Sequence, residues 1–218
     1  MNYFELKLEL KSLYDRFEYN SLTPRQLINK INNAIPYNEC KFTIVPTLSL
    51  TNLNFDVTGC YYPELDTSGQ TPIEIEILCS KERIFYTLCD EDLDREIWYG
   101  LVFDILTVLG HEFVHMHQFR RRHFKPGKEY LSQEKSLQKK SQQEYLGIPD
   151  EIDAYAYSAA AQMAYVLPNY IEFCRTPVYE WYKTAFNKNH NIVKLLERKT
   201  NKYYKLLKRQ YNETYRQR

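Results

Sequence analysis

Apolar positions recur at helical spacing at both ends of the chain and at strand spacing between them. Leu6, Leu10, Leu13 and Phe17 predict an amphipathic helix over 3–19. In "LTPRQLINKINNAI", Thr23 can cap a second helix and Pro24 suits its first position, with Leu27, Ile28, Ile31 and Ile35 as the buried stripe. The period then changes. "KFTIVPTLS" and "LNFDVTGCYY" are β-prone and broken by Pro and Gly, and "TPIEIEILC" alternates Ile73, Glu74, Ile75, Glu76 and Ile77. "PELDTSGQ" reads as a hairpin-type connection. Residues 41–88 are therefore expected to form a small, mostly antiparallel sheet.

Helical periodicity returns after Asp90–Asp94, which offer acidic caps for the long helix "LDREIWYGLVFDILTVLGHEFVHMHQF". Residues 120–149 are polar and loop-like, with eight Lys or Arg against three Glu. An Ala-rich helix, "PDEIDAYAYSAAAQMAYVL", opens with an acidic pair. A last helix is expected over 178–214, with Ile192, Leu196, Tyr203 and Leu207 on one stripe. The fold class is α+β. The expected organisation is one domain over 1–177 and a basic helical extension over 178–218. Within the domain come N-terminal helices to 38, a sheet over 40–89, a helix over 90–119, a basic connection over 120–149 and a helix over 150–167.

Composition narrows the class. Hydrophobic residues at 44% are enough for a core. No uninterrupted apolar run reaches about 18 residues, so no membrane span is expected. Charges in "MNYFELKLELKSL" stand where a secretory signal would be apolar. The five cysteines form no C-x-x-C pair, which suggests reduced thiols, a cytoplasmic location and no cysteine zinc site. The net charge of +1 hides a basic tail: from Lys183 onward eleven Lys and Arg face two Glu. Lys and Arg mixed with tyrosines suit a nucleic-acid backbone, an acidic protein surface or a solvated helix packed on its own domain.

The candidate chemistry lies in "LGHEFVHMHQF", 109–119, which holds three of the five histidines. His111 and His115 are four apart, so on a helix they project from one face and can take two corners of a tetrahedral Zn²⁺ site. Glu112 lies about 100° round from His111, placed to touch a water on the metal as general base. This is the mechanical content of H-E-x-x-H on a helix. The alternative, two histidines satisfied inside a core helix, loses weight because Ile105, Leu106, Val108 and Leu109 supply the required helical context. The longer pattern with Gly and a third His is excluded by Gln118 and Arg121. His117 points off the metal face, His123 sits in the basic segment, and His190 belongs to the tail. Carboxylates remain as third donors: Asp150, Glu151 or Asp153.

The order hairpin, alternating strand, "HEFVH" helix and second helix opening with E-x-x-A resembles the zincin metallopeptidases over roughly 40–167. More narrowly it resembles the gluzincins and small H-E-x-x-H proteins of phage and bacterial genomes. The resemblance implies Glu151, in "EIDA", as third ligand. It also implies that the Ile73–Ile77 strand pairs with extended substrate through its backbone. Gluzincins often carry Asp four residues after the ligand Glu; here that position is Tyr155, a candidate oxyanion donor. Asp104 and Asp153 are then candidates to hold an imidazole. A zinc peptidase acting on peptide or protein is the expected function; the 120–149 segment, which joins the two ligand helices, is either a lid or strip selecting acidic peptides or an ordinary solvated connection. The alternatives are a weakly active or inactive zincin-fold binding protein, for instance a phage particle component, and a nucleic-acid-associated protein using the basic tail.

Overall fold

A computed structural model of the chain describes residues 3–16, 26, 29, 31–32, 39–47, 55–80, 91–125, 142–186 and 190–216. Of the expected second helix, Gln26, Asn29, Ile31 and Asn32 are described; Phe17, Thr23, Pro24, Leu27, Ile28 and Ile35 lie outside the described residues, as do 81–90 and 126–141. The chain divides into two compact units, Met1–Leu109 and Gly110–Arg218. The basic C-terminal segment lies wholly within the second unit.

In the first unit, helix α1 (Tyr3–Arg16) buries Tyr3, Phe4, Leu6, Leu10 and Leu13. Strands β1 (Cys40–Thr47), β2 (Asp56–Tyr61) and β3 (Ile73–Ser80) form a sheet of order β1-β3-β2. The alternation read from the sequence holds in β3: Ile73, Ile75 and Ile77 are buried while Glu76 is exposed. Each packs into an inward row, Phe42–Ile75–Gly59 and Ile44–Ile77–Val57 among them. The expected turn between β2 and β3 contains a short helix, α2 (Pro63–Thr67), begun by Pro63 at a position that needs no N–H donor.

Two expectations change here. The sheet is mixed rather than mostly antiparallel: β2 pairs antiparallel with β3, but β1 pairs parallel along its full length. The most apolar strand takes the centre, and the hairpin partner can occupy only one of its sides. It follows that β3 is no free edge. Over Ile73–Leu78 it is paired on both sides, so its backbone groups are committed and it does not offer itself to an extended substrate.

Helix α3 (Glu91–Arg121) carries the H-E-x-x-H segment. Its Trp98, Leu101, Val102, Ile105, Leu106 and Leu109 are buried at helical spacing, and Trp98 Nε1 donates to the Leu10 carbonyl at 3.0 Å. By length and composition Glu96–Arg121 does reach the threshold for a membrane-crossing helix, which counting uninterrupted apolar runs passed over. Much of it is buried inside the protein, including four polar side chains, His111, Glu112, His115 and Gln118.

The second unit contains the end of α3, then α4 (Gln142–Leu146), α5 (Pro149–Tyr165), α6 (Pro177–Ala185) and α7 (Asn191–Arg216). Where one final helix was expected there are two. Thr176 caps α6 by accepting from the Tyr179 N–H at 3.2 Å. His190 Nδ1 accepts from the Ile192 N–H at 3.2 Å at the start of α7. Ala154, Ala156, Ala159, Ala160, Ala161 and Ala164 are buried on α5; such small residues let neighbouring helices approach closely. α7 packs along α5 through Val193, Leu196, Thr200, Tyr204 and Leu207. The stripe is rotated from the expected one, and Ile192 and Tyr203 are only partly buried. Thr200, fully buried, completes the row that apolarity alone did not mark.

This packing sets a contrast along α7. Leu196→Ala should lower unfolding free energy by about 2–5 kcal/mol. Leu206→Ala, on the exposed side, should stay within about 0.5 kcal/mol. Denaturant titration of both variants checks the phase of the helix.

Candidate metal centre

α3 and α5 bring the donors together. On α3, His111 and His115 sit one turn apart with rings edge to face, centroids 4.7 Å apart, and Nε2 atoms 3.0 Å apart. On α5, Pro149 starts the helix, so Asp150 and Glu151 occupy its first turn, where the helix dipole favours negative charge. Glu151 Oε2 lies 3.5 Å from His111 Nε2, and Oε1 lies 3.5 Å from His115 Nε2. One donor atom from each of the three residues falls within 4.8 Å of the others, and all three side chains are buried. This buried His, His, Glu group could hold a metal ion.

Its electrostatics agree with a cation site. Burial opposes ionisation of Glu151, but hydrogen bonds and positive charge from His111 and His115 outweigh it and hold the carboxyl well below the usual carboxylate range. Burial would also depress His115; contact with Glu151, the charge of Glu112 and the Gln118 hydrogen bond raise it instead. Both shifts come from the carboxylate and the imidazoles facing one another, with Glu112 adding negative charge beside them. A divalent cation there would replace protons as the counter-charge.

Three residues to which the sequence reading gave no part in the site hold this geometry. Gln118, one turn beyond His115 and buried, faces His115 Nδ1 through Oε1 at 3.0 Å and donates from Nε2 to the Asp150 carbonyl at 3.1 Å. Arg122, a further turn on, forks onto the Asp150 carboxylate, with Nη1 at 3.1 Å and Nη2 at 2.6 Å. Gly110 gives the two helices room: a Cβ there would come within 2.5 Å of the Tyr157 ring. The signal for Gln118 was its i+3 spacing from His115, which puts it on the same face. The second half of its role needed α5 in place.

The other candidates separate. Glu112 is buried, and its charge acts on both His115 and Tyr155. The Tyr155 ring lies edge-on to His111 at 4.4 Å, then meets Trp181 at 5.1 Å and Tyr182 at 5.7 Å. Burial, then Glu151 and Glu112, push its hydroxyl far above the ordinary tyrosine range, so it stays a protonated donor. Asp153 does not approach an imidazole. It pairs with Lys199 Nζ at 2.7 Å and hydrogen-bonds with Tyr203, because it projects from the opposite side of α5 to Glu151. Asp104 belongs to the first unit, where burial and then Asp56 push its carboxyl up to about 6. His117 and His123 are exposed and outside the donor group.

Comparisons with protein-family models, with curated proteins and with solved structures find no match. The likeness to zincins rests on the residues and their arrangement.

Two glycines on one helix test the close approach. Gly110→Ala should destabilise by about 1–3 kcal/mol through overpacking against Tyr157. Gly100→Ala, whose Cβ would have nothing within 4 Å, should stabilise by up to about 1 kcal/mol from helix propensity. Thermal melts of the two variants should move in opposite directions.

Proposed function

We propose that the chain is a zinc-dependent peptidase whose metal is held by His111, His115 and Glu151. The observation that carries this reading is the spacing of the donors. Ligands at about 2.0–2.1 Å in a tetrahedral site stand ~3.3 Å apart; the two imidazole Nε2 atoms are 3.0 Å apart, each has its own Glu151 oxygen at 3.5 Å, and one donor atom from each residue lies within 4.8 Å of the others. Two neutral imidazoles and one carboxylate are also a donor set of catalytic zinc, leaving a fourth position for water or substrate.

Zinc, when bound, lowers the pKa of a water and polarises a substrate carbonyl. The protein's residues do the rest. Glu112 follows His111 on the helix, so its carboxylate stands beside the donor group and not within it. From there it takes a proton from the attacking water and returns it to the leaving amine. Tyr155, whose ring lies against His111 and whose hydroxyl keeps its proton, is the candidate to donate to the oxygen that gains charge as the amide carbonyl is attacked. Gln118 and Arg122 fix the two helices so that the donors do not reorganise during turnover.

Protein purified without chelator should carry about one zinc per chain by elemental analysis. His111→Ala should remove it. Glu112→Gln should keep the metal while hydrolysis of a peptide library falls by about 10²–10⁴-fold. Unchanged turnover in that variant would take the general-base role from Glu112. Zinc bound with no cleavage by the wild type would favour the non-catalytic zincin-fold reading.

A second reading has its own observation. Lys194, Arg198, Lys202 and Lys205 are exposed along α7 and, with Glu197 and Asn201, line an open trough. This row supports contact with a polyanion backbone such as nucleic acid. Single-stranded DNA binding should then weaken by about two or more orders of magnitude between 50 and 200 mM salt for several phosphate contacts. Salt-independent binding would reject the reading.

A further inference from the structure

Gln118 stands between two groups with unequal hydrogen-bonding roles. The backbone carbonyl of Asp150 can only accept, so the Gln118 atom facing it at 3.1 Å must be the amide nitrogen. Its amide oxygen then faces His115 Nδ1 at 3.0 Å, and that oxygen can also only accept. The donor between them must be the ring N–H.

We infer that Gln118 is a positioning residue for the metal centre: orientated by the Asp150 carbonyl, it fixes His115 as the Nδ1–H tautomer and presents the Nε2 lone pair to the donor group. This rests on the metal-site reading above and adds how the site becomes competent. The first turn of α5 delivers Glu151 and, one residue earlier, supplies the carbonyl that sets the tautomer. Arg122 holds that same residue by its carboxylate. Docking of α5 and preparation of His115 are therefore one event. A helix displaced by a residue would lose a ligand and the correct lone pair together.

The full-length protein tests this with zinc alone as probe. In the metal-free wild type at alkaline pH, where the imidazole is neutral, ¹⁵N shifts should show His115 protonated on Nδ1. Gln118→Met should weaken zinc binding by about 10–100-fold. Gln118→Glu has two acceptor oxygens and no wrong end, so it should recover most of that loss although it cannot donate to Asp150. A residue that merely clamped the helices would behave oppositely, with Glu no better than Met. That result, or a wild-type His115 protonated on Nε2, would overturn the inference. Equal zinc affinity in wild type and Gln118→Met would overturn it alone. Absence of zinc binding in the wild type would overturn the metal centre with it.

Discussion

A carboxylate buried at the first turn of α5 is the constraint around which the second unit is arranged. Glu151 is 2% exposed, and an ionised carboxylate taken out of water is tolerated only when charge and hydrogen bonds replace its hydration. The imidazoles of His111 and His115 supply them across the helix pair, and the N-terminus of α5 adds its dipole. Asp150, next to it, would add a second negative charge at the same helix start. The Arg122 fork compensates that charge and anchors the turn at once. Arg122 therefore acts with the Gln118 contact to the Asp150 carbonyl in holding the turn that carries Glu151.

The wall beside the donor group is aromatic. Tyr155 links His111 to Trp181 and Tyr182, and Tyr182 donates to the Leu146 carbonyl at 3.1 Å. Gln162 accepts from the Val178 N–H at 3.4 Å and Thr176 caps the same helix, so α6 is fixed to α5 where Trp181 and Tyr182 begin. Burial, with Glu151 and Glu112 nearby, keeps the Tyr155 hydroxyl protonated, while Trp181 at the outer end of this wall remains 40% exposed.

The parts of this arrangement legible in the sequence are those fixed by short-range periodicity. Four-residue spacing put His111 and His115 on one face, and period two marked Ile73, Ile75 and Ile77 as an inward row. The likeness to E-x-x-A supplied Glu151, which spacing within one helix could not distinguish from Asp150 or Asp153. What escaped depends on partners distant in the chain. The centre of the sheet went to β3 because β1 joins it from the far side, a pairing no local pattern encodes. The phase of α7 turned on Thr200, whose polarity points outward on its own but which is buried against the Ala-rich face of α5. Asp104 lay on the right face of a helix, but its charged neighbour is Asp56.

The C-terminal helix then acquires a role that its charge alone conceals. On α5, Glu151 and Tyr155 share one face by their spacing of four, while Asp153 and Tyr157 share another about 200° away. The first face carries the donor group. The second meets α7, through Asp153 to Lys199 and through Tyr157 to Tyr203, whose ring centroids are 5.4 Å apart. Tyr157 also fills the space over Gly110 on α3. The helix that brings Glu151 to the histidines is thus held from behind by a segment whose composition suggests an appendage. The basic residues of α7 divide accordingly: Lys199 is drawn in toward α5, and the row from Lys194 to Lys205 is left to solvent or to a partner.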